Sequence, residues 1–116
     1  MSVNKVILLG YVGRDPEIRF PQPDFPVASF SLATDETVGN PPQKVAEWHN
    51  IVMFGDKASL AEKYIRKGTR LYLEGRLRTR EYDDRMKVRR RITEIIVERF
   101  ELLGRNDKNQ NTNTVP

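Results

Sequence analysis

Apolar and polar residues alternate along most of this chain, and the alternation predicts a domain built mainly from β-strands. In residues 27–34, Ala28, Phe30 and Leu32 alternate with serines and small polar residues, as expected of a strand that packs one face on a core. Four further extended segments predict strands at residues 3–12, 45–54, 69–82 and 87–102. Residues 35–44, which contain Gly-Asn-Pro-Pro, are expected to form a flexible loop.

Between the third and fourth predicted strands the period changes, which indicates one helix. Asp56 is expected to cap it and Gly68 to end it. The apolar residues at helical spacing are Leu60, Ala61, Tyr64 and Ile65. The order β-β-β-α-β-β is typical of an all-β domain with one helix, a five-stranded Greek-key barrel of the OB type. An SH3-like barrel and an α+β sandwich remain open, because the order of elements does not determine how the sheet closes.

The length of 116 residues corresponds to one domain. We expect the folded domain to span residues 1–104. Residues 105–116 are polar, Asn-rich and almost without apolar side chains, so we expect a disordered tail there.

Several classes of site are excluded by what the sequence lacks. It contains no cysteine and one histidine, which excludes disulfides, thiolate ligands and a histidine metal cluster. We therefore expect no metal and no cofactor, and the lack of a nucleophile–base pair makes an enzyme the least favoured class. The longest apolar run, Val6 to Leu9, is too short to span a membrane. Since no signal peptide is recognisable either, the expected location is the cytoplasm.

Positive charge is concentrated in one part of the chain. The net charge is +4, yet residues 76–91 contain eight Arg or Lys and three acidic residues. Within the fourth strand, Arg76, Arg78 and Arg80 share one face, with Tyr82 at its end. The opposite, core-facing side is expected to hold Leu71, Leu73 and Leu77. A row of arginines on one face favours an anionic partner, although a solvated outer face is the alternative.

The third strand adds two aromatic residues on one face. Trp48 and Phe54 are six residues apart and so point the same way, while Ile51 and Met53 point the other way and supply the core. Such rings usually pack in a core. A small barrel has only one interior, however, and Ile51 and Met53 already point into it, so we expect Trp48 and Phe54 to face outward. Exposed rings beside arginines are what single-stranded nucleic acid requires, because bases stack on the rings while cations follow the phosphates.

Six segments, in order, resemble the bacterial single-stranded DNA-binding protein family. They are residues 3–10, 14–17, 47–49, 54–55, 64–68 and 73–80, within a likeness that extends from Val3 to about Val97. The resemblance implies an OB fold, a homotetramer and no enzymatic activity. It also implies sequence-independent binding and protection of single-stranded DNA during replication, recombination and repair, in the cytoplasm with the nucleoid.

The resemblance also implies a DNA-binding site. It assigns base stacking to Trp48, Phe54 and Tyr82. It assigns phosphate contacts to Lys5, Arg19, Arg66, Lys67, Arg78 and Arg80, to which the arginine row adds Arg76. Some family members have a further tryptophan where this chain has Val38, so one stacking position is missing.

The end of the chain differs from the family pattern. Family members end in an acidic tip that finishes in Pro-Phe and recruits replication and repair proteins, whereas this sequence has one tail aspartate, Asp107, and stops at Thr-Val-Pro. We therefore expect no recruitment of such proteins through the tail. Either the sequence is a shortened form, or it is a tail-less relative specialised for replication restart, RNA or mobile-element DNA. A protein-interaction module that docks through its strand faces is a third alternative.

The first predicted strand indicates that the protein assembles into an oligomer. The run from Val6 to Leu9 places apolar side chains on both faces of one strand, more than one small barrel can bury. Pairing of first strands between subunits would cover the excess. We expect a homotetramer built as a dimer of dimers, with His49 near a subunit contact.

Overall fold

A computed structural model describes residues 1–105, which form six strands and one helix. The elements are β1 (Val6–Val12), β2 (Glu17–Gln22), β3 (Phe25–Val38), β4 (Gln43–Phe54), α1 (Asp56–Tyr64), β5 (Thr69–Asp83) and β6 (Arg89–Arg105). The predicted mostly-β domain with one helix is confirmed, and the helix follows the strand that ends at Phe54, as predicted. The predicted tail lies outside the described residues, apart from the backbone of Arg105, and stays a prediction.

The strands form one sheet with the order β1-β5-β6-β4-β3-β2 and a further pairing between β1 and β3. Five strands are therefore paired in a ring, and β2 lies outside it at the edge of β3. All pairings are antiparallel except that of β4 with β6, where Asn50 lies opposite Glu94 and Val52 opposite Ile96. This parallel contact brings the outer faces of β4, β5 and β6 together.

The core lies inside this ring and beneath the helix. Its largest fully buried side chains are Phe30, Leu32, Ile51, Met53, Ile65, Leu71 and Leu73. Ile51 and Met53 are buried, whereas Trp48 is 58% exposed. The predicted division of β4 into a core face and an outer face is thus confirmed.

The observed strands differ from the predicted ones by a few residues at several ends, and in two larger ways. β2 was not predicted, since residues 21–26 contain three prolines; it forms because Pro21 lies at a sheet edge, where a missing N–H donor is tolerated. The predicted loop at residues 35–44 is wrong for most of its length, because β3 continues to Val38 and β4 begins at Gln43. These polar residues pair with each other across the hairpin rather than packing on a core, so alternation of hydrophobicity does not reveal them.

The helix also begins differently. Gly55 occupies the N-cap position with φ of 64°, and no side chain caps the helix, so the prediction of Asp56 as the cap is wrong. Ala61 and Ile65 are buried as predicted, but Leu60 and Tyr64 are 43% and 58% exposed. The buried face is narrower than the predicted stripe because Ala58 and Ala61 allow the helix backbone to lie close to the sheet. None of the helices within residues 1–105 is long and apolar enough to cross a membrane.

In β5, the alternation fails after Gly75. The pairing with β6 shifts register between Glu74 and Gly75, where a Cβ on Gly75 would lie 2.1 Å from the carbonyl oxygen of Ile96. Beyond this close approach β5 and β6 extend past the core as a hairpin. Leu77 lies there and is 48% exposed, so its prediction as a core residue is wrong.

Candidate nucleic-acid interface

A groove crosses the outer face of the sheet, where β2, β3, β4, β5 and β6 contribute side chains. Its volume is about 260 Å³. The residues that define it here are Arg19, Val27, Phe54, Arg78, Arg80 and Glu94. They converge because Val27 pairs with Phe54 across β3 and β4, and Arg78 pairs with Glu94 across β5 and β6.

One end of the groove is aromatic. Phe54 is half-buried and stacks on Phe25, with ring centroids 6.0 Å apart and an interplanar angle of 18°. Phe25 was not among the predicted site residues, because it follows the proline-rich segment that the alternation pattern left unassigned. The stack with Phe25 supports Phe54 from one side.

Trp48 lies further along the same face of β4. Its six-membered ring rests on Gly13, where an added Cβ would be 2.3 Å from Cζ3. Gly13 is held by a hydrogen bond from its N–H to the carbonyl of Ser31. The indole is thus supported at its six-membered ring by the loop after β1, and its exposed surface is available for stacking. Trp48 is not a core residue.

Two arginines of the predicted row meet one buried carboxylate. Arg80 donates to Glu94 through Nε (3.0 Å to Oε1) and Nη2 (3.2 Å to Oε2), and Arg78 donates through Nη2 at 3.4 Å. Glu94 is 5% exposed. The hydrogen bond to Glu94 raises the pKa of the Arg80 guanidinium. Nothing in the sequence pointed to Glu94, since its partners are 14 and 16 residues away.

The same arginines also cover aromatic rings. The guanidinium of Arg78 lies 5.6 Å from the ring centroid of Phe54, and that of Arg80 lies 5.7 Å from the ring centroid of Tyr82. Tyr82 is 40% exposed. The structure therefore brings three of the predicted residues of β5 into one continuous surface with Phe54.

Two other predicted cations have acidic partners of their own. Arg76 pairs with Glu98 at 3.6 Å and Arg19 with Glu17 at 3.7 Å, all four being well exposed. Exposed pairs of this kind contribute little to stability and are readily exchanged for a phosphate. Arg14, which was not predicted, lines an adjoining part of the groove.

Lys5 is not brought to the groove. Its ammonium group lies 3.0 Å from Glu74, which also accepts hydrogen bonds from Tyr72 and Arg99. The hydrogen bonds from Tyr72 and Lys5 lower the pKa of Glu74, and the same contact with Glu74 raises the pKa of Tyr72. This is a separate cluster on β1, β5 and β6.

Arg66 and Lys67 lie at the end of the helix. The Arg66 guanidinium donates to the carbonyls of Glu62 and Ile65, both at 2.7 Å. The backbone N–H of Lys67 donates to Asp15 at 2.8 Å. Lys67 therefore borders the loop that follows β1, whereas the Arg66 side chain is held at the end of its own helix.

The hairpin that carries Tyr82 is held by Asp84. Its carboxylate accepts hydrogen bonds from the backbone N–H groups of Met86 and Val88 and from Nε of Arg90. These bonds, that from Val88 first, lower the pKa of Asp84. The turn is therefore built around one carboxylate.

Comparison with known proteins agrees with this geometry. The profile of the Single-strand binding protein family matches residues 3–103. The chain belongs to this family. Among its relatives, a single-stranded DNA-binding protein of Bacteroides thetaiotaomicron is 47% identical over 109 residues, which cover 90% of this chain and 68% of the relative. One from Neisseria meningitidis is 40% identical over 119 residues, which cover 100% of this chain and 67% of the relative.

A solved structure of the family is also similar. It is described as a Plasmodium falciparum SSB complex with ssDNA, and it matches with a TM-score of 0.77 at 36% identity, covering 90% of this chain and 96% of that one. The predicted family and the predicted OB-type fold are thus confirmed. For the predicted site residues, the structure supplies positions and contacts, and their role in binding stays a prediction.

Proposed function

We propose that this single-strand binding protein binds single-stranded DNA without regard to sequence and without catalysis. The observation that carries the proposal is the placement of Trp48 and Phe54 on one outer face, beside the guanidiniums of Arg78 and Arg80. Every base has a π-face, so stacking of about 1–3 kcal/mol per base gives affinity without selecting a sequence.

The same surface explains a preference for single strands. A ring can stack only on a base whose own neighbours have been separated, and duplex bases are already stacked. Cations along the surface neutralise phosphates, and each neutralised phosphate makes log affinity fall by about 0.7 per unit of log salt. The biological role that follows is protection of DNA strands exposed during replication, recombination and repair in the cytoplasm, with the nucleoid.

We further propose that the protein works as a homotetramer. Ile7 and Leu9 on the outer face of β1 are 57% and 45% exposed. The described pairings of β1 with β3 involve only Tyr11 and Val12, so the rest of β1 has one edge available for a second copy. His49, whose ring is 2.9 Å from the Thr34 hydroxyl, remains predicted to lie near a subunit contact.

The test is a titration of Trp48 emission, which reports one position because the chain has a single tryptophan. Saturating oligo-dT should quench the emission strongly and duplex DNA only weakly. Trp48→Ala should weaken binding by about 1–3 kcal/mol per stacked base and leave the protein folded. Absence of quenching by oligo-dT, or equal binding of duplex, would refute the proposal.

The same titration with oligo-U separates the alternative of an RNA specialist, since only RNA offers the 2′-hydroxyl. Tighter binding of RNA than of DNA would favour that alternative.

A second experiment removes the tail. Deletion of residues 105–116 should leave DNA affinity unchanged, because the charge of this segment is close to neutral.

A further inference from the structure

Five side chains of the groove form one connected row. Phe54 lies under the guanidinium of Arg78, the carboxylate of Glu94 joins Arg78 to Arg80, and Tyr82 lies under the guanidinium of Arg80. The carboxylate is at the centre and a ring is at each end. Within it, Glu94 is buried while both arginine side chains are more than 40% exposed.

A buried acid in the middle of a polyanion site is electrostatically unfavourable for binding. At this position it repels phosphate and neutralises part of the charge of two arginines that would otherwise attract it. An arginine that binds phosphate presents its N–H edge to the oxygens. Here Arg80 directs Nε and Nη2 at Glu94 at 3.0 and 3.2 Å, and Arg78 directs Nη2 at 3.4 Å. The carboxylate thus occupies N–H groups of both guanidiniums, while a ring lies beneath each of them.

Both arginine side chains are more than 40% exposed, which leaves each guanidinium accessible to a base from the side away from its ring. A guanidinium plane is a good stacking partner for a nucleic-acid base, as an aromatic ring is. A base that stacks on a guanidinium held over a ring would continue the column that Phe54 or Tyr82 begins. Phosphate contacts are then left to cations outside the row, such as Arg14 and Arg19.

We propose that Glu94 is a positioning residue that holds Arg78 and Arg80 as base-stacking planes rather than as phosphate contacts. The inference deepens the proposed function and rests on it. It differs from the simple expectation that each arginine of the row neutralises one phosphate.

The first test changes the shape of a cation and keeps its charge. Arg80→Lys should weaken oligo-dT binding about tenfold, which corresponds to about 1.4 kcal/mol and lies within the range for one stacked base, and it should leave the salt slope unchanged. Arg70→Lys, the same change at an exposed residue near the start of β5 and away from the row, is the control and should bind as the unmodified protein does. If Arg80→Lys binds as tightly as the control, the inference is wrong.

The second test removes the carboxylate charge. Glu94→Gln should release the arginine edges toward phosphate, so the fall of log affinity with log salt should steepen by about 0.7 for each arginine released. Glu81→Gln is the matched control, because it removes the same charge from an exposed residue that pairs with Arg89 and Arg91. A slope no steeper in Glu94→Gln than in Glu81→Gln would contradict the inference.

Melting curves show whether Glu94→Gln folds, and if it does not, the Arg80→Lys comparison decides the question. The experiments distinguish failure of the proposed function from failure of the inference. If the unmodified protein does not bind oligo-dT, the proposed function falls and the inference falls with it. If it binds and both variants behave as their controls, only the inference falls.

Discussion

Replacing Gly13 by alanine should weaken DNA binding although Gly13 is not expected to touch DNA. A Cβ at this position would lie 2.3 Å from Cζ3 and 2.8 Å from Cη2 of Trp48, and 2.9 Å from Oγ of Ser31. Carbon atoms in ordinary contact are about 3.5–4.0 Å apart, so the indole must move by more than about 1 Å. Gly13 is not among the glycines with positive φ, so the backbone itself accepts alanine.

The size of the effect follows from the exposure of Trp48. Because the ring is 58% exposed, it can swing outward, and the loss of folding stability should be about 1 kcal/mol, the low end for overpacking. The loss of binding should approach the worth of one stacked base, about 1–3 kcal/mol, or roughly 5- to 160-fold. Oligo-dT should also quench Trp48 emission less completely than in the unmodified protein.

A double-mutant cycle provides the control. In a Trp48→Ala background Gly13→Ala should have no further effect on affinity, because the ring that it displaces is gone. Fluorescence anisotropy of a labelled oligo-dT measures affinity in all four proteins, and thermal melting measures their stability. Unchanged affinity in Gly13→Ala, or an equal loss with and without Trp48, would refute the reasoning.

Three further predictions concern stability and assembly. Gly75→Ala should destabilise the fold by roughly 3 kcal/mol, the upper end for overpacking. Its Cβ would lie 2.1 Å from the Ile96 carbonyl oxygen, and backbone cannot move aside as a side chain can. Urea unfolding measures the free energy of unfolding, and an unchanged value would contradict the prediction. Asp84 has a lowered pKa in the folded protein, so its stabilising contribution should be complete above a pH of about 4 and be lost as the pH falls through the lowered pKa. The difference in melting temperature between the unmodified protein and Asp84→Asn should accordingly be largest near neutral pH and vanish in acid. Ile7→Asp should place a charge on the apolar outer face of β1 and so weaken assembly, which light scattering would show as a fall in mass from four chains toward 13.5 kDa. If the unmodified protein is itself a monomer, the tetramer is refuted.

Features with a local period were predictable from the sequence. The face of β4 that holds Trp48 and Phe54 and the face that holds Ile51 and Met53 follow from a period of two, which any strand imposes. The position of the helix followed from a change of period, but its predicted end at Gly68 is wrong, because the backbone is already extended at Ile65 and the helix ends at Tyr64. Each of these depends on neighbours within about ten residues.

Features that depend on partners far along the chain were not predictable. Alternation placed Leu77 on the core face, but only the register shift at Gly75 shows that the core has ended there. Gly13 carries no signal for Trp48, 35 residues later, and Phe25 carries none for Phe54. β2 forms because β3 offers it an edge.

The clearest contrast lies within the arginine row itself. Residues two apart on a strand must share a face, so the sequence was enough to place Arg78 and Arg80 on the same outer face. The position of Glu94 between them depends on which residue of β6 pairs with Arg78, and this is known only from the fold. A period specifies the side of a sheet on which a side chain lies, whereas its charge partner is set by the register between strands, which arises from packing over the whole domain.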